Sequence, residues 1–438
     1  MLSTIYCCVF SSAMSSIVNF RFVLVKRASK PNVDHIKLFQ PILTIRNAHL
    51  ASLAVLATFA TVMTRYISLL LATLACCPDA TGCTSAIVSA QASASGRPLL
   101  WKNRDTSATD NKIEYIAASS PEEYDYVGLF NASDRNCEQA WMGMNSAGFA
   151  VMNTASYNLK DDNVPASKMD REGYVMSHAL KHCRTVDDFG RLLDVLPRPM
   201  GVEANFGVID ACGNGAYFEC NNHSYTRYNL DDAPDGVLVR TNYSHSGEQG
   251  KGYGQIRERN ALHLLKPYSG NASVEPYTFT DVLSCSFYHD LYGRDMAETP
   301  GCQWLIDQDF IPRYTTTATV VIEGVSPIGP DAEGEPGRRY VMWTALGYPP
   351  CAQVVPVWCS PEGVDEGLRG LQPGGTSRLC DEAKARKQEV FSAPDGNRQR
   401  YIRLNTLKNS LGTGYLQHFR NLNMQTYRRM RHSNNLEK

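Results

Sequence analysis

Hydrophobic and polar positions divide the chain into three stretches of different character. Residues 1–82 are rich in small and apolar residues and show no sustained amphipathic spacing. From Cys83 to about residue 358, short alternating runs predominate, and each is closed by Gly, Asn, Pro or Ser. Residues 359–438 read as a Gly-rich linker followed by a polar, helix-prone tail. In the middle stretch, Cys83–Ser89 reads as a strand, Ser95-Gly96 as a turn and Arg97–Asp105 as the return strand. Further strands are expected at Tyr126–Phe130, Gln139–Met144 and Phe149–Asn153, with Asn145 to Gly148 turning the last pair. Apolar positions at Tyr174, Val175, Ala179, Leu180 and Cys183 predict a helix over Arg171–Cys183. Thr185 with Asp188 forms a capping-box pattern that opens a second helix, Val186–Leu196, ended by Pro197 and Pro199.

Strands resume at Phe206–Asp210, Ala216–Glu219 and Val237–Thr241. Helical spacing returns at Gln255–Lys266 and around Asp281–Tyr292. Two longer strands, Thr316–Glu323 and Arg339–Leu346, flank a Gly- and Pro-rich loop expected to be exposed. Strands, then helices, then strands again suit an α+β fold with antiparallel sheets. No internal repeat is visible.

Composition bounds the function classes. The 438 residues are 43% apolar and 20% charged, with a net charge of −1. That gives no overall electrostatic footprint for nucleic acid or an anionic membrane. Residues 381–438 hold 12 Lys/Arg against 5 Asp/Glu, which suits a solvated, partly helical face. Of 14 cysteines, ten lie from Cys83 onward, and no CxxC pair occurs among them, so a zinc ribbon is not expected. A two-residue turn at Asn214-Gly215 would set Cys212 opposite Tyr217 and not Cys220, so no disulfide is assigned there. No cofactor is implied, because no ligand cluster occurs.

The end of the first stretch has the form of a targeting signal. Met63-Thr64-Arg65 is a short positive region, and Tyr66–Cys77 is a 12-residue apolar core. The small-residue triplet Ala80-Thr81-Gly82 follows, so cleavage is expected between Gly82 and Cys83, with Met63 a candidate true start. Residues 1–82 are then a signal or pro-segment, 1–62 of which need not be translated. The alternatives are a membrane anchor interrupted by Arg65, or a lipoprotein signal with Cys76 or Cys77 lipidated. Export implies a secreted, periplasmic or cell-envelope protein with no stable membrane span after processing.

Cleavage before Cys83 would place a thiol and a free α-amine on one residue. The amine, with an ordinary pKa of about 7.7–8.0, can take the thiol proton and later return it. A thiolate attacks amide carbonyls, and a covalent acyl-enzyme splits one hard step into two. Such a Cys needs no histidine. The competing reading of a lone Cys is a small buried hydrophobe.

The stretches CTSAIVS, GRPLLWKNRDTS and GMNSAGFAVMNTASYNL, with NFGVIDACGNGAYFE (Asn205–Glu219) and VLVRTNYSHSG (Val237–Gly247), carry a resemblance. In this order they resemble the acyl-coenzyme A:6-aminopenicillanic acid acyltransferase family, relatives of the choloylglycine hydrolases and penicillin V acylases. The likeness runs from Cys83 to about Pro356. It implies a four-layer αββα sandwich, an N-terminal-nucleophile hydrolase domain over 83–358, and self-processing at Gly82-Cys83 as a second route to the mature end. It also implies Cys83 as nucleophile, Asp105 holding the α-amine, Asn153 in the oxyanion hole and Asn242 as a second site amide. One departure is visible: the family's Arg, three residues before its Asp, is replaced by Lys102, with Arg104 adjacent to the Asp. Strand alternation puts Lys102 and Arg104 on one face and Asp105 on the other, so which cation meets the sulfur stays open. Read without the family, Asn153 and Asn242 are turn residues.

The expected activity is hydrolysis of a linear amide, or acyl transfer to an amine, on a small-molecule acyl-amide. An exported cysteine dipeptidase and a non-catalytic envelope lipoprotein or ligand-binding protein are the alternatives. Tyr157, Trp141 and Trp304 are candidates for an acyl pocket or for core packing. The sequence leaves the substrate and the oligomeric state open.

Overall fold

The computed structural model describes residues 82–160, 164–325, 340–393 and 399–436. Residues 1–81 of the expected signal or pro-segment, 1–82, and most of the Gly/Pro-rich loop after Glu323 lie outside them.

Thirteen strands build two antiparallel sheets. The first contains β1 (Thr84–Val88), β2 (Leu99–Asp105), β10 (Val237–Arg240), β11 (Thr316–Glu323), β12 (Val341–Leu346) and β13 (Val355–Val357), in the order β10-β1-β2-β11-β12-β13. The second runs in sequence order through β3 (Asn111–Ile116), β4 (Tyr126–Asn131), β5 (Met142–Asn145), β6 (Ala150–Ala155), β7 (Ala204–Ile209), β8 (Gly215–Cys220) and β9 (Tyr225–Asn229). The expected hairpin forms: Val88 pairs with Leu99 and Thr84 with Asn103. β1 and β2 are central to the first sheet and pack against β6 and β7 of the second.

Residue alternation divides the side chains among three apolar layers. Ile87, Leu100, Val320 and Ile322 meet Met142, Met144, Met152 and Tyr217 between the sheets. Ala86, Val88, Trp101 and Val321 face the opposite way, under helices α3 (Gln255–Ser269) and α5 (Tyr415–Leu436). On the far side of the second sheet, α1 (Glu172–His182) and α2 (Val186–Val195) bury Val175, Met176, Leu180 and Phe189 against Phe206 and Phe218. Helix, sheet, sheet, helix is the four-layer α+β sandwich. A fourth helix, α4 (Arg378–Val390), packs on β12.

The capping box is present. The Thr185 hydroxyl accepts from Asp188 N at 3.1 Å, and the Asp188 carboxylate accepts from Thr185 N at 2.8 Å. Asp188 at the third helical position does the work usual for Glu or Gln.

Two expectations are corrected. The β7–β8 connection is not a two-residue turn. Ile209 pairs with Gly215, and Gly207 with Tyr217, around a five-residue loop, 210–214. Asp210 organises that loop by accepting from Cys212 N, Asn214 N and Asn214 Nδ2, a job one acceptor side chain can do better than a tight turn. Cys212 is exposed while Cys220 is buried, and both are free thiols. The segment Asp281–Tyr292 is not a regular helix. A π-turn over Thr278–Val282 and a 3-10 turn over Leu283–Cys285 give way to a two-residue strand, Tyr288–His289. Thr280 and Asp281 are buried and bonded to Tyr427 and Asn423 of α5, and these tertiary bonds outweigh local helical spacing.

No helix among the described residues is long and apolar enough to cross a membrane. Phe189 touches the rings of Phe149, Phe206 and Phe218 at centroid distances of 6.2, 5.6 and 5.2 Å. Phe189→Ala is expected to cost about 3–5 kcal/mol, read by denaturant unfolding. A loss below about 1 kcal/mol would contradict this packing.

Candidate active site

β1 and β2 place the candidate residues at one end of the first sheet. Continuing the alternation of β1, Cys83 falls on the inter-sheet face with Ser85 and Ile87. Lys102 and Arg104 of β2 lie on that same face, and Asn103 and Asp105 lie on the other with Trp101. All five are almost fully buried, with Cys83 at 9% exposure.

The Cys83 thiol donates to the main-chain carbonyl of Asp105 at 3.8 Å, a long contact suited to sulfur. The Asp105 carboxylate is held elsewhere. Its Oδ2 accepts from Arg313 Nε at 2.7 Å, and its Oδ1 from Thr316 Oγ1 at 2.6 Å and Asn103 Nδ2 at 3.1 Å. β11 pairs Thr316 with Asp105, and the register shifts between Thr316 and Ala318, so a bulge closes the ladder where Asp105 sits.

Two arginines converge on the peptide before the thiol. Arg257 Nη1 donates to the carbonyls of Gly82 and Cys83 at 2.9 and 2.7 Å, and to Thr84 Oγ1 at 2.9 Å. Arg313 Nη2 donates to the Gly82 carbonyl at 2.6 Å. Arg257 Nη2 also donates to Asn242 Oδ1 at 2.8 Å, and Asn242 Nδ2 is spent on the Ala155 carbonyl at 2.9 Å. A Cβ on residue 82 would press on Asn242 Oδ1, Arg313 Nη2 and Arg257 Nη2, so any larger residue would have to displace these groups.

On the inter-sheet face, Lys102 Nζ donates to Asn153 Oδ1 at 2.7 Å and to the Trp141 carbonyl at 2.9 Å. An ammonium only donates, so it assigns the Asn153 amide: oxygen toward Lys102, and Nδ2 without a protein partner among the described residues. Arg104 goes a different way. Its fork grips the side-chain carbonyls of Asn111 and Asn131, the latter at 2.7 Å, and its guanidinium lies 5.3 Å over the Trp141 ring.

Burial shapes the charges. It lowers the Lys102 pKa to about 8, against the pull of Cys83, and lowers Arg104 to about 10. Arg257 falls to about 9, from burial first and Arg313 second. Burial works against the Arg313 guanidinium too, but Asp105 outweighs it and holds its pKa above the ordinary value. Glu172, which opens α1, is raised to about 7 by burial.

Cys83, Asp105 and Asn242 therefore meet through Arg257 and Arg313, while Lys102 and Asn153 form a second pair across the sheets. Arg104 is directed to β3 and β4. Tyr157 stands half-exposed with its ring against Tyr253 at 5.3 Å, and its N–H donates to the Asn242 carbonyl at 3.2 Å. Trp304 lies in a small separate sheet with residues 401–403. Arg257, Arg313 and Thr316 were not singled out from the sequence. An Arg early in an amphipathic helix and an Arg in an irregular loop carry no local mark of burial; Thr316, at the head of a strand, carries none of its bulge. Among the described residues, no group of three His, Cys, Asp or Glu side chains is placed to hold a metal.

Residues 92–263 match the sequence model of the family described as acyl-coenzyme A:6-aminopenicillanic acid acyl-transferase. That span includes Lys102, Asp105, Asn153, Asn242 and Arg257. No curated protein matches. Among solved structures, an N-acylethanolamine-hydrolyzing acid amidase ortholog from Caenorhabditis elegans is 14% identical, with a TM-score of 0.38, over 58% of this chain and 97% of that one. A mutant conjugated bile acid hydrolase from Clostridium perfringens is 11% identical, with a TM-score of 0.38, over 63% and 92%. Penicillin V acylase from Agrobacterium tumefaciens is 13% identical, with a TM-score of 0.35, over 63% and 86%.

Asp105→Ala would strand Arg313 beside a buried gap and is expected to cost about 3–5 kcal/mol in chemical unfolding. A variant within 1 kcal/mol of the parent would show that Arg313 has another adequate partner.

Proposed function

We propose that this chain, whose residues 92–263 match the acyl-coenzyme A:6-aminopenicillanic acid acyl-transferase family, cleaves or exchanges a linear amide through an acyl-thioester on Cys83, freed as the N-terminal residue. The observation that carries this reading is the double-arginine grip on the Gly82 carbonyl next to the buried thiol. Two cationic donors aimed at one carbonyl oxygen are what a developing oxyanion requires.

That geometry supports self-processing. The Cys83 sulfur adds to the Gly82 carbonyl carbon, closing a five-membered ring, and the oxygen takes negative charge between Arg257 and Arg313. Collapse breaks the Gly82 C–N bond; the proton from sulfur ends on nitrogen, which becomes the Cys83 α-amine. Gly82 is then held on sulfur as a thioester, and water releases it as a carboxylate. Burial of Gly82 favours this route over a peptidase acting on the folded chain. A peptidase acting before folding, after export by the segment ahead of Cys83, remains the second route, and we propose an exported location on that segment's pattern alone.

In turnover the freed α-amine takes the thiol proton. The thiolate adds to the substrate carbonyl, the leaving amine departs with that proton, and the acyl group stays on sulfur until water or an amine accepts it. Asn153 Nδ2, held as a donor by Lys102, is the amide offered to the oxyanion; losing one such donor typically costs 10²–10³ in kcat. The carboxylate of Asp105 orients Arg313 and, after cleavage, the α-amine.

The test is trapping. Acid-quenched protein incubated with a panel of aryl- and alkyl-acyl amides should carry the acyl mass on the peptide beginning at Cys83, and Cys83→Ala should carry none. Turnover without any adduct, unchanged in Cys83→Ala, would end the proposal.

The charge on Lys102 also sets a pH limit. Its ammonium is present below about pH 8 and is lost above it. A neutral amine accepts as well as donates, so it no longer fixes which end of the Asn153 amide faces it. An alkaline limb near pH 8 in kcat/KM is expected, and Lys102→Arg, whose guanidinium stays charged, should move it upward. A limb that does not move would clear Lys102 of this role.

A further inference from the structure

The residues beyond the last strand of the first sheet reach the site. Helix α4 turns Cys380, Ala383, Lys387 and Val390 inward. Lys387 is only 9% exposed, unusual for a lysine without a carboxylate partner among the described residues. Its Nζ donates to the main-chain carbonyl of Thr316 at 3.0 Å. It also lies over two aromatic faces, 5.0 Å from the Tyr314 ring and 5.8 Å from that of Tyr348.

Thr316 is where this contact acquires meaning. Its hydroxyl donates to Asp105 Oδ1 and accepts from Arg313 N at 3.0 Å, so one residue touches both members of the Asp105–Arg313 pair. It also sits at the bulge, where the β2–β11 ladder no longer dictates the position of the backbone. A hydrogen bond from a buried ammonium to its carbonyl restores that definition. The charge acts as well: Asp105 and Asp307 both favour the ammonium form of Lys387, while burial lowers its pKa to about 8.

Resting on the functional reading above, we infer that Lys387 is a positioning residue for catalysis, acting from the C-terminal helix through Thr316 on the Asp105–Arg313 pair. The C-terminal segment is on this view part of the catalytic scaffold, although it lies beyond the stretch that matches the family.

Lys387→Met keeps the apolar stem and removes donor and charge. It is expected to lower kcat at least 10-fold on any amide the parent turns over, with KM within 2-fold and Lys387→Arg restoring most of the rate. Thr316→Val should be at least as slow, and the double variant Thr316→Val/Lys387→Met no slower than Thr316→Val alone, because both break one chain of contacts. A purely structural role would instead let the two fold-changes multiply. That result, or a Lys387→Met rate within 2-fold of the parent, overturns the inference. Should Lys387→Met not fold, Lys387→Gln, which retains a donor without charge, is read against the same thresholds. Alkylation of Cys83 by iodoacetamide, followed by mass, needs no substrate and is expected to slow several-fold in the same variant. A parent that turns over no amide sinks the functional reading alone if that slowing is seen; with no slowing, the positioning role falls too.

Discussion

The buried carboxylate of Asp105 is the constraint on which the rest of the site depends. A carboxylate with 0% side-chain exposure has a place in the interior only if its charge is matched and its lone pairs are filled. Arg313 supplies the charge, and Thr316 and Asn103 fill the remaining acceptor sites. Holding Arg313 for that purpose also aims its other nitrogen at the Gly82 carbonyl. The main-chain carbonyl of the same aspartate receives the Cys83 thiol. One residue at the end of β2 thus locates the Cys83 thiol, the cation that faces the bond ahead of it, and the bulge that ends the ladder.

The two sheets divide the remaining labour. Lys102 and Arg104 leave β2 on the same face, yet they serve different ends. Lys102 is a point donor with three protons, and it selects the oxygen of Asn153, leaving the amide NH2 as a donor. Arg104 is a planar fork, and it ties Asn111 to Asn131 across the start of the second sheet. Lys102 reaches two separate oxygens from one point, Asn153 Oδ1 and the Trp141 carbonyl.

Much of the scaffold was legible in the sequence because period-2 runs with turn residues carry their own boundaries. The β1–β2 hairpin, the strand Thr316–Glu323 and the Thr185–Asp188 cap all follow from local chemistry. The layering did not follow from periodicity, since alternation says only that a strand has two faces and not what covers them; four layers were expected from the family resemblance. The segment around Asp281 misled because its apolar spacing is helical while its buried Thr280 and Asp281 are claimed by α5. Around Gly82 and between the sheets, the structure brings together Cys83, Lys102, Asp105, Asn153 and Asn242, which a junction and ordered motifs had made candidates. Arg257, Arg313 and Lys387 were not among them, because their roles arise from long-range approaches, such as 175 positions between Arg257 and Gly82. A basic residue on a polar helix reads as solvated until the fold shows what it meets.

Whether the folded chain frees its own Cys83 is decided by the intact mass of purified, refolded precursor with no peptidase present. The expected outcome is loss of the segment up to Gly82 and a new N-terminus at Cys83, abolished by Cys83→Ala and slowed by Arg257→Met. A precursor that folds and keeps its Gly82–Cys83 bond, or that is cut elsewhere, would contradict it.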